Sequence, residues 1–307
     1  MNHSIQDGVW PTMITPFTSS GEVDYTALEQ LIEWYIGRGV HGLFAVCQSS
    51  EMFKLTLSER VGIARFVKER AAGRVQVIAS GHISDEFADQ VEELTQIAET
   101  GVDAVVLISN RLAGEQESEE VWKNNAIKLL DAIPDMPLGI YECPYPYKRL
   151  LSPELLKWCA DTGRFTFLKD TCCDLQQMKA KIDAVAGSPL KLFNANSSSL
   201  LASLKLGASG FSGVMANFHP DLYVRLVDMC KDKSKELEAE RLQAYLGVAS
   251  LIELQYYPVN AKYHLQQLGL PFTTVCRVKD ESGLKANHRI EVGQLEQMSN
   301  IARTLLQ

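Results

Sequence analysis

Short runs of apolar and β-branched residues alternate along the chain with longer segments in which apolar positions recur every three to four residues. The runs are Val9 to Phe17, Gly42 to Cys47, Val75 to Ser80, Ala104 to Ser109, Pro137 to Cys143, Phe165 to Asp170, Leu190 to Ala195 and Gly210 to Met215, eight in all. They are largely apolar on both faces, as strands covered on both sides of a parallel sheet are. The intervening segments open on helix-start signals: Asp24 before Leu28, Leu31 and Ile32, Ser58 before Val61, Ser84 before Phe87, and Ser152-Pro153-Glu154. A capping side chain, then proline or an acid in the first turn, satisfies the free N–H groups of a new helix. From about Ser234 to Gln307 the chain reads helical, with breaks near Tyr257-Pro258 and Leu270-Pro271.

Eight strand–helix units in series predict an α/β fold, a closed (β/α)8 TIM barrel over 1–233, with 234–307 as a helical extension of the same domain. An open doubly wound sheet is the competing arrangement. It would carry a glycine-rich phosphate loop after the first strand, where this chain has Thr15-Pro16-Phe17. The 307 residues suit one such barrel plus an extension. A net charge of −8 argues against a nucleic-acid surface, but a local Arg or Lys can still serve an anionic ligand. No stretch is long and apolar enough for a membrane span, and the N-terminus has no signal-peptide pattern. Seven scattered cysteines are read as reduced thiols of a cytoplasmic protein.

In such a barrel, chemistry sits at the carboxyl ends of the strands. Lys169 follows Phe165-Thr166-Phe167-Leu168 and therefore ends an apolar strand. Desolvation there lowers an amine's pKa and makes it a nucleophile toward carbonyl carbon; a lysine reaching solvent or pairing with Asp170 is the plain alternative. Tyr141 ends the preceding strand, as a proton-relaying phenol or a core tyrosine. Ser49 and Ser50 follow the second strand, as carboxylate ligands and a proton path or as turn caps. His82 more readily caps the helix near Ser84 than touches a substrate. Cys47, Cys143, Cys172 and Cys173 fall near strand ends without the spacing of a metal motif, so no metal is expected there.

The order of these residues is more specific than any one of them. Pro11-Thr12-Met13-Ile14-Thr15-Pro16-Phe17, Gly39-Val40-His41-Gly42-Leu43, Cys47-Gln48-Ser49-Ser50-Glu51, Tyr141-Glu142-Cys143-Pro144, Leu168-Lys169-Asp170-Thr171, Gly207-Ala208-Ser209-Gly210 through Asn217, and Pro258 with Lys262 run along essentially the whole chain. In this order the chain resembles the dihydrodipicolinate synthase / N-acetylneuraminate lyase family. The resemblance implies an imine between Lys169 and a 2-oxo acid such as pyruvate, with Tyr141 as proton shuttle. Ser49 would complete a hydroxyl relay, the backbone around Ser49-Ser50 would hold the substrate carboxylate, and the Ser212 carbonyl would lie near the substrate carbonyl oxygen. It also implies chemistry that requires no metal or organic cofactor, and a homo-oligomer, a tetramer or dimer.

The departures shape the expected substrate. Pro146 stands where the synthase has an arginine for its aldehyde partner, and Arg149 is displaced. Ser109-Asn110-Arg111 stands where the family's second tyrosine would be, which interrupts the three-hydroxyl relay. Asn194-Ala195-Asn196 offers amides, Asn194 among them, where the sialic acid lyases carry acids. Arg111 is a candidate clamp for a distal carboxylate or phosphate, or else a surface salt bridge. Glu142 is a candidate ligand for substrate hydroxyls or a second acid/base, or else a partner for Arg111 or Arg149. The expectation is a divergent lysine-dependent lyase. A synthase proper, a 2-oxo-3-deoxy sugar acid dehydratase and a non-catalytic 2-oxo acid sensor remain alternatives.

Overall fold

The computed structural model describes residues 4–133 and 135–305. The eight runs supply eight parallel strands: β1 (Gly8–Val9), β2 (Gly42–Phe44), β3 (Gln76–Ala79), β4 (Ala104–Ile108), β5 (Leu138–Tyr141), β6 (Phe165–Asp170), β7 (Lys191–Asn194) and β8 (Gly210–Phe211). They pair in the order β1-β8-β7-β6-β5-β4-β3-β2. A parallel bridge between Thr12 and Phe44 brings the end of the first run back to β2, with the Phe44 N–H donating to the Pro11 carbonyl at 3.0 Å. The sheet closes on itself as a (β/α)8 barrel. At the β1–β8 seam a Cβ on Gly210 would lie 1.8 Å from the Gly8 carbonyl oxygen, so only glycine permits that approach.

Side-chain alternation decides what enters the barrel. On β6, Phe165, Phe167 and Lys169 share one face, and Thr166, Leu168 and Asp170 the other. Phe167 stacks on Phe193 at 4.6 Å and meets Trp10 at 5.7 Å and Phe44 at 6.1 Å, filling the interior. Lys169 is the next residue up on that inward face.

The barrel helices are α1 (Tyr25–Gly37), α2 (Leu57–Ala71), α3 (Phe87–Ala98), α4 (Glu119–Ala132), α5 (Pro153–Asp161), α6 (Leu175–Ala184), α7 (Leu200–Lys205) and α8 (Pro220–Cys230). Asp24 caps α1 by accepting the Ala27 N–H at 2.9 Å, and Ser152 caps α5 with proline in its first turn. Two starts differ from expectation. Thr56 rather than Ser58 caps α2, through a reciprocal box with Glu59. Ser84 lies ahead of α3 and gives its hydroxyl to Glu93 at 3.0 Å. Beyond α8 come α9 (Glu236–Ala249), α10 (Val259–Gln267) and α11 (Ala286–Leu305), with α9 against α8 and α11 against α9 and α10. The stretch 270–285 is not helical apart from one turn, Glu281–Gly283; Pro271 and the β-branched Thr273-Thr274-Val275 disfavour helix there. No helix among the described residues is long and apolar enough to cross a membrane.

Candidate active site

A cavity of about 590 Å³ opens at the carboxyl ends of the strands. Gln48, Ser49, Tyr141 and Lys169 reach it from the barrel, and Glu253, Tyr257 and Val278 from the C-terminal extension. Lys54 and Lys279 are exposed side chains of its lining. The size suits a small organic ligand.

Lys169 and Tyr141 are register partners on adjacent parallel strands, so their side chains rise on the same face. The Lys169 ammonium lies 4.3 Å from the Tyr141 ring centre and 6.0 Å from that of Phe44. It is buried, and no side chain among the described residues hydrogen-bonds or ion-pairs with it. Burial lowers its pKa, while nearby Cys47, Cys143 and Glu253 oppose the shift. Burial likewise holds the Tyr141 phenol well above the ordinary tyrosine range, and its hydroxyl donates to Gln48 Oε1 at 3.3 Å. Ser49 Oγ lies 3.2 Å from Thr12 Oγ1.

Several residues that the sequence offered to a ligand are engaged elsewhere. Glu142 is fully buried beneath the site. Its carboxylate accepts from Lys181 Nζ at 2.6 Å, the Leu151 N–H at 2.9 Å and the Thr171 N–H at 3.1 Å. Lys181 also binds Asp170 at 2.6 Å, so Glu142 pairs with neither Arg111 nor Arg149, and the outward face of β6 ends in a buried triad. Ser50 Oγ sits 2.7 Å from the Met13 carbonyl and 2.9 Å from that of Ala45, which pins the turn after β2 rather than facing a ligand. Asn194 spends its amide on Ser199 and Ser203, at 3.1 and 3.0 Å, and its oxygen on the Asn196 N–H at 2.7 Å. Arg111 pairs with Asp85 and lays its guanidinium 5.5 Å from the Phe53 ring, behind the cavity wall that Phe53 forms. Ser212 is buried and outside the cavity lining, which Gly213 joins; a Cβ on Gly213 would strike the Phe211 ring at 2.3 Å and the Ala195 carbonyl at 2.5 Å. His82 neither caps a helix nor meets the cavity. Its Nε2 accepts the Ile108 N–H and Nδ1 faces Gln90 at 3.3 Å, and burial lowers its pKa to about 3. Among the thiols, Cys143 donates to Gln48 Oε1 at 3.5 Å, Cys172 faces the Asp174 carbonyl at 3.3 Å, and Cys173 is exposed.

Sequence reasoning missed Gln48, Tyr257 and Glu253. Tyr257 places a phenol beside Ser49, held at 3.2 Å by Asn217 Nδ2; Asn217 is itself fixed to the Thr12 and Val214 carbonyls. A second tyrosine hydroxyl thus reaches the serine from the extension, not from the loop after β4. Glu253 lies on the turn Ser250–Leu254 and was hidden by the helical reading of this region. The one available signal was its isolation: it is the single charged residue from Leu242 to Ala261. Another tie closes the cavity. Glu51 is buried, binds Lys262 at 2.7 Å and accepts the N–H groups of Arg277 and Val278 at 2.6 and 2.9 Å. It thereby straps 270–285 over the turn after β2 and sets Val278 and Lys279 in the lining.

The sequence and the fold are similar to those of known proteins. The chain is 27% identical over 292 residues to a 4-hydroxy-tetrahydrodipicolinate synthase of Methanococcus maripaludis strain C6, covering 92% of this chain and 97% of the relative. It is 28% identical to an enzyme of the same name from Acidithiobacillus ferrooxidans, over 89% and 95% of the two chains. Its fold superposes with a TM-score of 0.85 on a prophage protein of the dihydrodipicolinic acid synthase family from E. coli K12, solved in complex with pyruvate, at 24% identity over 95% and 98% of the chains. The sequence model of the dihydrodipicolinate synthetase family matches residues 6–285, a span that takes in all eight strands, Lys169, Tyr141 and the strap from the extension. The chain belongs to the dihydrodipicolinate synthetase family.

Proposed function

We propose that this protein is a class I lyase in which Lys169 forms an imine with a 2-oxo acid of the pyruvate type. The observation that carries the reading is the Lys169 amine itself: buried, free of hydrogen-bonding and ionic partners among the described residues, and open to the cavity beside Tyr141. A neutral amine adds to the carbonyl carbon, and the resulting carbinolamine must lose water to become an imine. Burial favours the neutral amine. The phenols of Tyr141 and Tyr257 and the Ser49 hydroxyl lie around it, and burial keeps both phenols protonated, so they act as proton donors and carriers to the leaving oxygen. The protonated imine is then an electron sink for breaking or making a bond at the neighbouring carbon. The turn at Ser49-Ser50 is the proposed anchor for the carboxylate, and Lys54 and Lys279 favour an anionic second half of the substrate.

Intact mass after incubation with pyruvate and borohydride tests the reading. A reduced adduct on the protein and none on Lys169→Ala is the expected result; a folded wild type that takes up no adduct would overturn it. The names of the relatives favour a second, narrower reading, the 4-hydroxy-tetrahydrodipicolinate synthase itself. It requires efficient condensation of pyruvate with aspartate semialdehyde, and failure of that reaction rejects it. Homo-oligomeric assembly and a cytoplasmic location belong to the same proposal. Exposed Val248, Leu251 and Leu254 and the seven free thiols support them, and light scattering and cell fractionation check them.

A further inference from the structure

Glu253 is a carboxylate that the scheme above leaves without a task. It sits on the short turn between α9 and α10, and its side chain reaches the cavity that Lys169 also lines. Glu253 is half-buried; Ile252 and Leu254 flank it in sequence, and Val214, Ala195 and Pro258 line the same cavity together with Lys169 and Tyr257. Among the described residues no donor hydrogen-bonds to it and no cation pairs with it. Even partial burial of a carboxylate without donors costs free energy. Of the two carboxylates in the cavity lining, Glu51 is already bound to Lys262 and two backbone N–H groups, and Glu253 is open. Burial pushes the Glu253 pKa up to about 7, with Lys169 acting against the shift. In turn Glu253 opposes the depression of the Lys169 amine. The two groups are within electrostatic reach of each other across the cavity.

We propose that Glu253 is the base that removes a proton from C3 of the imine-bound 2-oxo acid, a role that rests on the Lys169 imine proposed above. The C3–H bond breaks and its proton passes to the carboxylate. The electron pair left on C3 forms a C2–C3 double bond, and the electrons of the C2–N double bond return to nitrogen and cancel its positive charge. An iminium cation facing a carboxylate becomes a neutral enamine facing a neutral acid. The net charge of the pair is zero before and after, so a partly buried site need not accommodate a change in it. The reverse transfer protonates C3. Any 2-oxo acid with a C3 hydrogen is a substrate for this step, whether condensation or elimination follows.

Pyruvate alone is a sufficient probe. Loss of methyl protium in D2O, followed by NMR, reports the C3 step, and borohydride trapping reports the imine. The isosteric Glu253→Gln should keep the trapped adduct while exchange falls by on the order of 100-fold or more, and Glu253→Asp should restore part of it. Exchange at the wild-type rate in Glu253→Gln would overturn the proposal. So would a parallel loss of adduct and exchange, which would make the carboxylate a support for imine formation. Absence of adduct on the wild-type protein is a distinct result. It removes the Lys169 reading, and the role of Glu253 goes with it.

Discussion

Replacing Lys181 by methionine tests the buried ionic layer directly behind the proposed nucleophile. Lys181 Nζ donates at 2.6 Å to both Glu142 and Asp170, and the three side chains are 2%, 0% and 0% exposed. Methionine keeps length and apolar contact but removes the cation, leaving two carboxylates facing each other in a dry site. Breaking a buried pair in this way costs about 3–5 kcal/mol. At roughly 2–4 °C per kcal/mol the melting temperature should fall by roughly 6–20 °C. The pH dependence has a definite sign. Burial already lifts the Glu142 carboxyl above the usual carboxylate range, Asp170 adds to this, and Lys181 is the main influence that lowers it. Without Lys181 the Glu142 pKa rises further. Between its unfolded value near ~4.3 and that raised value the native state binds more protons than the unfolded state, so stability falls as pH rises through the window. Thermal unfolding at pH 5.5 and pH 8 should therefore show the larger deficit at pH 8. Adding Glu142→Gln and Asp170→Asn should recover half or more of the loss. A deficit under about 1 kcal/mol, or one equal at the two pH values, would refute the argument that this triad is an electrostatic unit.

Three further outcomes follow from the same geometry. Tyr257→Phe removes the phenol beside Ser49 and should slow pyruvate adduct formation on the order of 100-fold at unchanged melting temperature; trapping at a wild-type rate would exclude the phenol from proton transfer. Glu51→Gln weakens the tie to Lys262 and to the N–H groups of Arg277 and Val278, and should cost about 3–5 kcal/mol in urea unfolding and open 273–281 to limited proteolysis. A segment that stays protected would mean that other contacts hold the strap. Arg111→Ala should lower stability through its lost cover of Phe53 and its lost pair with Asp85, without changing the ratio of KM values for anionic and neutral aldehyde partners. A selective rise for the anionic partner would return Arg111 to substrate binding.

The barrel was legible in the sequence because its signals are local. Each strand is a short run covered on both faces, and each helix a longer amphipathic segment, so alternation alone gives the count and order. Lys169 and Tyr141 were legible for the same reason. Both end apolar strands, and strand ends in a barrel of this class converge. The structure gives the polar residues beside them partners that the sequence did not indicate. Glu142 and Asn194 are sequence neighbours of cavity residues, and the two-residue period turns one neighbour inward and the next outward. Outward on β6 and around it lies Lys181, which claims Glu142 and Asp170 together. Arg111 was a polar rim residue on sequence grounds, but it lies against Phe53, from the loop after β2, and Phe53 rather than Arg111 lines the cavity.

By itself, then, the sequence determined the fold and the place of Lys169 at the end of an apolar strand, since both follow from the spacing of apolar positions within single elements. Only the tertiary structure decided which acid and which second phenol share the cavity with Lys169. Glu253 and Tyr257 come from 84 and 88 positions further along the chain. They sit in an extension that Glu51 ties to the barrel through Lys262 and the N–H of Val278, and Asn217 meets the Tyr257 hydroxyl. Those are contacts between distant segments, fixed by closure of the barrel and packing of the extension, and no periodicity within a single element encodes them.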